Sequence, residues 1–589
     1  VHRNQLTIDA DSRDDFAPSS IDWRLAGWGV LALTAILYFT RLGARALWSS
    51  EFRWAEISRE MIRTGNYFWP TINGHLYYDK PLGSYWLVLA STWITGGLNE
   101  TAARLPCAIA GLLGVGLLIL LTRRLYDLRT GVIAGFILAT SFSFVFFSRA
   151  ASADVETITG ELAALLLFLR YEDRPIGWWV VWLWIIMAVT SLTKGLLGFV
   201  LPIMVMGLYA TLSDGWALFG EKILHGAIAD RIRWVIDRNR WLFNWRSIIA
   251  IPIGLAIYIM PFWISRAIMG SGAGLDMVYR ENVVRFFEPF DHRGPIYLYL
   301  YVIFALMAPW AILIPAALVQ AHHERRIEAE PAKSDRFTLI FFWSTFAFFT
   351  LSGSRRSYYI LPILPPAAML IARLLTSPSE RLSDWGRRLL MLGYSIFVVL
   401  VIAGLVLLIP PGGILPGSMA KLPAAPDRLV FAAMWVMVLA AIIYTLRNFR
   451  LDRVTLSMGV AAYAVMVYIY IFAMPTAEAY RGEKPFAYEV RNRVGSQTSQ
   501  LGLYRTVGPL FYLDPAQPLA EFDKPKDLAR AVRDGKIEWV IVRRRDLPGI
   551  GLPSEILVEE ASFPWESEYE HRNKVVLVKL GASTSTPAR

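Results

Sequence analysis

Near its start the chain carries a polar stretch, Trp48-Ser49-Ser50-Glu51-Phe52-Arg53-Trp54-Ala55-Glu56-Ile57-Ser58-Arg59-Glu60-Met61, followed by Tyr77-Tyr78-Asp79-Lys80-Pro81. The flanking sequence is largely apolar. Carboxylates, arginines and a lysine gathered in one loop suit an anionic ligand. A guanidinium grips a phosphate through two parallel hydrogen bonds, and an ammonium serves as a point charge. The phosphate-binding candidates are Arg53, Lys80, Lys194, Arg355 and Arg356, with Tyr359 beside the last pair. Pairing with local carboxylates or with lipid headgroups is the plainer reading of any one of them. Glu51 and Asp154 each stand where a loop meets an apolar segment, a position at which ionisable groups are functional candidates. They are the candidate catalytic carboxylates. Asp79 and His292 are candidate ligands of a divalent metal, as is His75, although loop histidines are more often simply solvated. Glu56 and Glu60, like Arg59 and Arg63, are four residues apart, as on a salt-bridged helix at an interface.

These residues need elements to hold them, and composition says which kind. Of 589 residues, 55% are hydrophobic and 18% charged, against about 25% charged in soluble domains. The chain reads as mainly α and polytopic in a membrane. The net charge of +11 fits an excess of basic residues in cytoplasmic loops better than nucleic-acid binding. A single cysteine, Cys107, leaves no disulfide within one chain. The polar start, with Asp9, Asp11, Asp14 and Asp15, lacks the basic opening of a cleavable signal.

About 20 apolar residues are needed per span, which predicts about thirteen spans between residues 25 and 475. Gly83–Thr95 is short and reads as an interfacial helix. With that choice the arginines of alternate loops, from Arg123 and Arg124 to Arg450 and Arg453, fall on one side, the cytoplasmic one. The tail 1–24 is then cytoplasmic. The loop 41–82, the turns holding Arg149–Asp154, Lys194 and Arg355–Tyr359, and the segment 266–295 lie outside. Residues 476–581 read as a small outer α/β domain, with strands at Leu501–Tyr504, Ile537–Arg543 and Val575–Leu580 and a helix at Lys526–Asp534. The tail 582–589 reads as disordered.

At these residues the chain resembles the ArnT-like, protein-mannosyltransferase-related glycosyltransferases of the GT-C fold. Ser50-Glu51-Phe52-Arg53-Trp54-Ala55-Glu56-Ile57-Ser58-Arg59-Glu60-Met61 is similar to that family's D-E-x-R-Y-A-E-I-x-R-E-M. The likeness continues at Tyr78-Asp79-Lys80-Pro81, Leu192-Thr193-Lys194-Gly195, Gly294-Pro295-Ile296-Tyr297 and Arg355-Arg356-Ser357-Tyr358-Tyr359. The family's first-loop aspartate aligns with Ser50, which cannot take a proton at neutral pH. Glu51 or Asp154 then fills that role, or the acceptor is already anionic and no base is needed, or activity is lost.

The resemblance implies an inverting transfer from an undecaprenyl-phosphate sugar, aminoarabinose-like or related, to lipid A or another envelope acceptor at the periplasmic face of the inner membrane. Relatives act on protein or glycan hydroxyls. The expected partners are the polyprenyl-phosphate donor, the acceptor and membrane lipids, with no nucleic acid, no nucleotide cofactor and a monomeric state. The competing class is a lipid-linked sugar transporter or flippase. Transporters often show two related halves, and none is visible in this sequence.

Overall fold

The computed structural model describes residues 21–48, 50–212, 228–288, 293–327, 333–408, 428–478, 482–495, 497–561 and 567–581. The chain is mainly helical. It opens with α1 (Trp23–Phe39), whose first turn is capped by Asp22, its carboxylate accepting from the Arg24 amide at 2.8 Å. Next comes α2 (Glu51–Thr64), stopped by Gly65 in the left-handed region. A hairpin follows, β1 (Thr71–Ile72) with β2 (His75–Leu76). Its Asn73-Gly74 turn has φ of 53° and 78°, the combination favoured by a two-residue hairpin loop.

The bundle continues through α3 (Gly83–Thr95), α4 (Glu100–Leu125), α5 (Leu128–Ala139), α6 (Phe142–Ser148), α7 (Asp154–Tyr171), α8 (Trp179–Lys194) and α9 (Leu197–Thr211). Glycines set two of its close approaches. A Cβ on Gly160 of α7 would fall 1.9 Å from the Thr190 hydroxyl of α8, and one on Gly83 would fall 2.6 Å from the Leu192 carbonyl. The second contact matters for function, because it presses the start of α3, just after Lys80-Pro81, onto the end of α8.

Among the described residues four helices are long and apolar enough to cross a membrane: Glu100–Leu125, Trp245–Met269, Asp384–Ala403 and Leu451–Ala473. The pair α5 and α6, bent by 68°, makes a fifth if it is one span. Other expected spans appear as shorter apolar helices, including Trp23–Phe39, Trp179–Lys194 and Leu197–Thr211. Hydropathy reads through breaks that the backbone makes. Thr140 and Ser141, at the α5–α6 bend, return their hydroxyls to the carbonyls of Phe136 and Ile137, a bond that competes with the helix ladder and bends it. The expected span 296–320 is divided into Leu298–Leu306, a 3-10 turn at Trp310–Leu313 and Ile314–Ile327.

The C-terminal part forms a five-stranded sheet of β3 (Leu501–Tyr504), β4 (Ala520–Phe522), β5 (Trp539–Arg543), β6 (Ser554–Glu559) and β7 (Val575–Leu580), in the order β4-β3-β5-β7-β6. β3 pairs parallel with β4 and β5, and β7 pairs antiparallel with β5 and β6. Strand alternation divides the core. Val540 and Val542 pack with Leu528 and Val532 of the helix Pro525–Arg533, while Trp539 and Ile541 join the hydrophobic core continuous with the helical bundle. The predicted strands and helix lie at these places. The edge strands β4 and β6 escaped prediction because each carries exposed glutamates and little continuous apolar surface.

Candidate functional site

The first loop is organised by a buried ion pair. Arg104, near the start of α4, is fully buried. It donates through Nε to Glu51 Oε1 (2.8 Å) and through Nη2 to Oε2 (2.9 Å). The rest of the guanidinium donates to the carbonyls of Leu42 (3.0 Å), Arg45 (2.7 Å) and Ala46 (2.8 Å). Glu51 also accepts the amides of Ala151 (2.9 Å) and Trp48 (3.0 Å). Burial alone would push the Glu51 carboxyl up, but Arg104, its hydrogen bonds and Arg45 hold it below the usual range. Both Glu51 oxygens are therefore occupied. The residue ties the 42–51 loop, α4 and the Arg149–Asp154 turn into one block. Sequence reasoning did not single out Arg104. The signal was a lone arginine opening an apolar segment, which a membrane helix tolerates only with a partner.

On the same loop Arg53 Nη1 lies 2.6 Å from Asp79 Oδ2 and donates to the Tyr77 hydroxyl at 3.0 Å. Lys80 Nζ lies 3.1 Å from Asp79 Oδ1 and donates to the Asp79 carbonyl at 2.9 Å. Two cations thus share one carboxylate, an arrangement with net positive charge. Burial pulls the Lys80 ammonium below the usual lysine range, against the pull of Asp79 and of Glu281. Burial also opposes ionisation of Asp79, yet Lys80 and Arg53 hold it below the ordinary carboxylate value.

A divalent metal does not fit here. Both Asp79 oxygens face cations already, so a further dication would meet repulsion. His292 lies outside the described residues. No group of three or more His, Cys, Asp or Glu converges among the described residues.

Asp154, at the first residue of α7, pairs with Lys194 at the last residue of α8. The Lys194 ammonium sits 5.6 Å from the centre of the Tyr359 ring. Ser84, four residues after Lys80, donates to Glu156 Oε2 (2.5 Å), two residues from Asp154. The segment Arg280–Val284 closes the same corner. Asn282 accepts the Leu196 amide at 2.9 Å, and Glu281 pairs with Arg285. The Ser84–Glu156 bond thus joins the segment after Lys80 to the start of α7, where Asp154 meets Lys194 and Tyr359. Arg355 spends its donors on the carbonyls of Thr350 (3.0 Å) and Gly294 (2.8 Å), and Arg356 donates to the Tyr358 hydroxyl (2.7 Å). Arg355 acts as a backbone clamp for this turn. A cavity of about 570 Å³, lined by Glu172, Trp179, Tyr209 and Arg240 among others, lies about 20 Å along α7 from this cluster, at the opposite end of the helix.

Residues 79–230 match the family model described as dolichyl-phosphate-mannose-protein mannosyltransferase. The chain is 27% identical over 358 residues to undecaprenyl phosphate-alpha-4-amino-4-deoxy-L-arabinose arabinosyl transferase 1 of Pseudomonas fluorescens, covering 59% of this chain and 57% of that protein. It is 28% identical over 391 residues to the transferase of the same description from Pseudomonas paraeruginosa, covering 64% of this chain and 65% of that one. The chain thus spans a little under two thirds of these relatives' length. The crystal structure of ArnT from Cupriavidus metallidurans bound to undecaprenyl phosphate is similar with a TM-score of 0.69 at 21% identity, over 96% of this chain and all of that one. Sequence is thus similar to these transferases over more than half the chain, and the fold is similar to that of ArnT over nearly all of it.

Proposed function

We propose that this protein is an inverting glycosyltransferase that moves a sugar from a polyprenyl-phosphate carrier to an envelope acceptor at the outer face of the inner membrane. The observation that carries the proposal is the pair of cations, Arg53 and Lys80, held on a single carboxylate in the first loop. The similarity to a structure bound to undecaprenyl phosphate supports the same ligand class. In this reading the carrier's phosphate displaces part of the Asp79 pairing. Lys80 and Arg53 then offset the charge that grows on the phosphate as the sugar leaves, fixed charges where charge develops. Arg356 and Tyr359, on the turn that meets Lys194, are assigned to the same phosphate.

Asp154 orients the attacking group, itself held by Lys194. Glu51, with both oxygens occupied, positions the loop. Ser50 stands exposed at the start of α2 with no side-chain cap bond, and offers no carboxylate. An acceptor that is already a phosphate, as on lipid A, needs no base, and the absence of a carboxylate at Ser50 favours that acceptor over a protein or glycan hydroxyl. The apolar helices, short ones included, make up a bundle of about thirteen spans with this loop and the α/β domain on the periplasmic side.

The test is transfer of label from an undecaprenyl-phosphate sugar by the purified chain. Lys80→Ala is expected to abolish it, and turnover within a few-fold of the parent would reject the phosphate assignment. A liposome assay for donor flipping without acceptor separates the transporter class, since a transferase leaves the lipid in its leaflet.

A further inference from the structure

A second group of cations on the same side of the bundle has no part in the mechanism above. Arg41 and Arg45 follow α1, Arg149 follows α6, and the three line a narrow cleft with Tyr470, Met474 and Pro475 at the end of the last apolar helix. Arg149 is buried. It donates to the carbonyls of Leu37 (2.5 Å), Tyr38 (2.9 Å) and Thr40 (3.0 Å) at the end of α1. Its guanidinium carbon lies 5.7 Å from the centre of the Tyr470 ring. Arg41 is exposed and donates to the Ile471 carbonyl at 3.0 Å. Among the described residues neither Arg41 nor Arg149 has a carboxylate within 4.0 Å. Arg45 reaches Glu51 at 3.8 Å, a carboxylate already gripped on both oxygens by Arg104. Burial, together with the Arg45 and Arg104 charges, brings the Arg149 guanidinium down to about 10. Among the described residues Arg41 and Arg149 thus sit beside Arg45 with no carboxylate of their own.

The independent observation is Tyr470. Its ring is buried, and its hydroxyl has no hydrogen-bond partner. A buried hydroxyl left unmade is costly. The residue sits in a π-helical turn, Tyr468–Ala473, a geometry that interrupts α-helices mostly at functional sites. The turn thus presents an unused donor in a cleft lined by three arginines.

We propose that Arg41, Arg45, Arg149 and Tyr470 form a second anion site, which takes the phosphate monoester of a lipid headgroup in the outer leaflet. The cleft opens where α1 and the last apolar helix end, at headgroup depth in the orientation proposed above, on which this inference rests. Its enclosed part is about 10 Å³, roughly one water, so a phosphate enters by turning the exposed Arg41 outward. Arg149 and Asp154 lie on one short turn. A lipid phosphate held here would place its sugar or diacyl part beside the Asp154–Lys194 pair, and for a phosphorylated acceptor this is an anchoring point separate from the donor phosphate at Lys80.

The test uses the full chain in detergent and titrates dioctanoyl phosphatidic acid, with dioctanoyl phosphatidylcholine and inorganic phosphate as separate arms. Arg149 caps α1, so the informative variants are Arg41→Gln and Tyr470→Phe, which break no cap. Each is expected to raise the Kd for phosphatidic acid about tenfold, the worth of one charge-assisted hydrogen bond. Lys80→Ala is expected to leave that Kd unchanged while losing donor-dependent transfer, so the two phosphate assignments fail separately. Parent-like Kd values in Arg41→Gln and Tyr470→Phe, or equal binding of phosphatidylcholine, would overturn the site. Displacement of the lipid by inorganic phosphate mole for mole would overturn the lipid source and leave a free phosphate as the ligand.

Discussion

Glu51 shows how one side chain is read differently from its neighbours in sequence and its neighbours in space. In sequence it is the acid next to the place where related proteins carry an aspartate. In space it is half of a buried pair with Arg104, with two further backbone amides on its oxygens. Breaking a buried pair from one side leaves an uncompensated charge and costs about 3–5 kcal/mol. Glu51→Ala is therefore expected to lower the thermal midpoint of the purified protein sharply, with or without donor present. A variant that keeps its midpoint but loses transfer would return Glu51 to the catalytic role. Lys80 differs in kind, since its partner Asp79 is shared with Arg53 and an incoming phosphate can take over part of that pairing.

Among the elements, α2 and the β1–β2 hairpin couple the bundle to the C-terminal domain. Arg59 lies 2.8 Å from Asp514, and Arg63 lies 2.5 Å from the same oxygen. Asn73 of the hairpin turn donates to the Leu519 carbonyl and accepts the Leu519 amide, both at 2.8 Å. Glu60 accepts the Gly74 amide at 3.2 Å, which holds the turn to the helix. Glu56, on the inner face of α2, is fully buried and has one oxygen on Arg59 at 2.5 Å and the other without a partner. Burial outweighs Arg59 and pushes the Glu56 carboxyl from 4.5 to about 7. A carboxyl raised in the folded state favours folding below its unfolded pKa, and that advantage is lost as pH rises through the folded value. The loss falls between about 4.5 and 7 and is worth at most about 3 kcal/mol. Glu56→Gln, which stays neutral, is expected to raise the thermal midpoint more at pH 8 than at pH 5. An equal change at both would show that Glu56 is ionised throughout.

At the scale of the whole molecule, one hydrophobic core runs from the bundle into one face of the C-terminal sheet through Trp539, Ile541 and Leu577. The first loop lies between bundle and C-terminal domain, with Glu51 and Glu56 buried and Arg41 and Arg63 exposed. The orientation of this assembly is testable because the single cysteine, Cys107, is buried. Glu555→Cys on the exposed strand β6 is expected to react with an impermeant maleimide added to intact spheroplasts. Labelling confined to inverted vesicles would place the C-terminal domain and the loop in the cytoplasm and reverse the proposed topology.

The sequence by itself determined that the molecule is mainly helical with several apolar helices, since hydropathy depends only on local composition. It also located the strands Leu501–Tyr504 and Val575–Leu580, where apolar runs are short and bounded, and the polar loop with Lys80, where charge stands out against an apolar background. Tertiary structure alone decided which charges are partners. Glu51 and Arg104 are 53 residues apart, Asp154 and Lys194 are 40, and Arg59 and Asp514 are 455. No local pattern encodes such pairs, because the chain brings them together only as apolar faces pack. The breaks at Thr140-Ser141 and Trp310–Leu313 were equally invisible, since hydropathy averages over a window and hydrogen bonding does not. The cleft of Arg41, Arg45, Arg149 and Tyr470 draws on three distant segments, so its chemistry exists only in the folded chain.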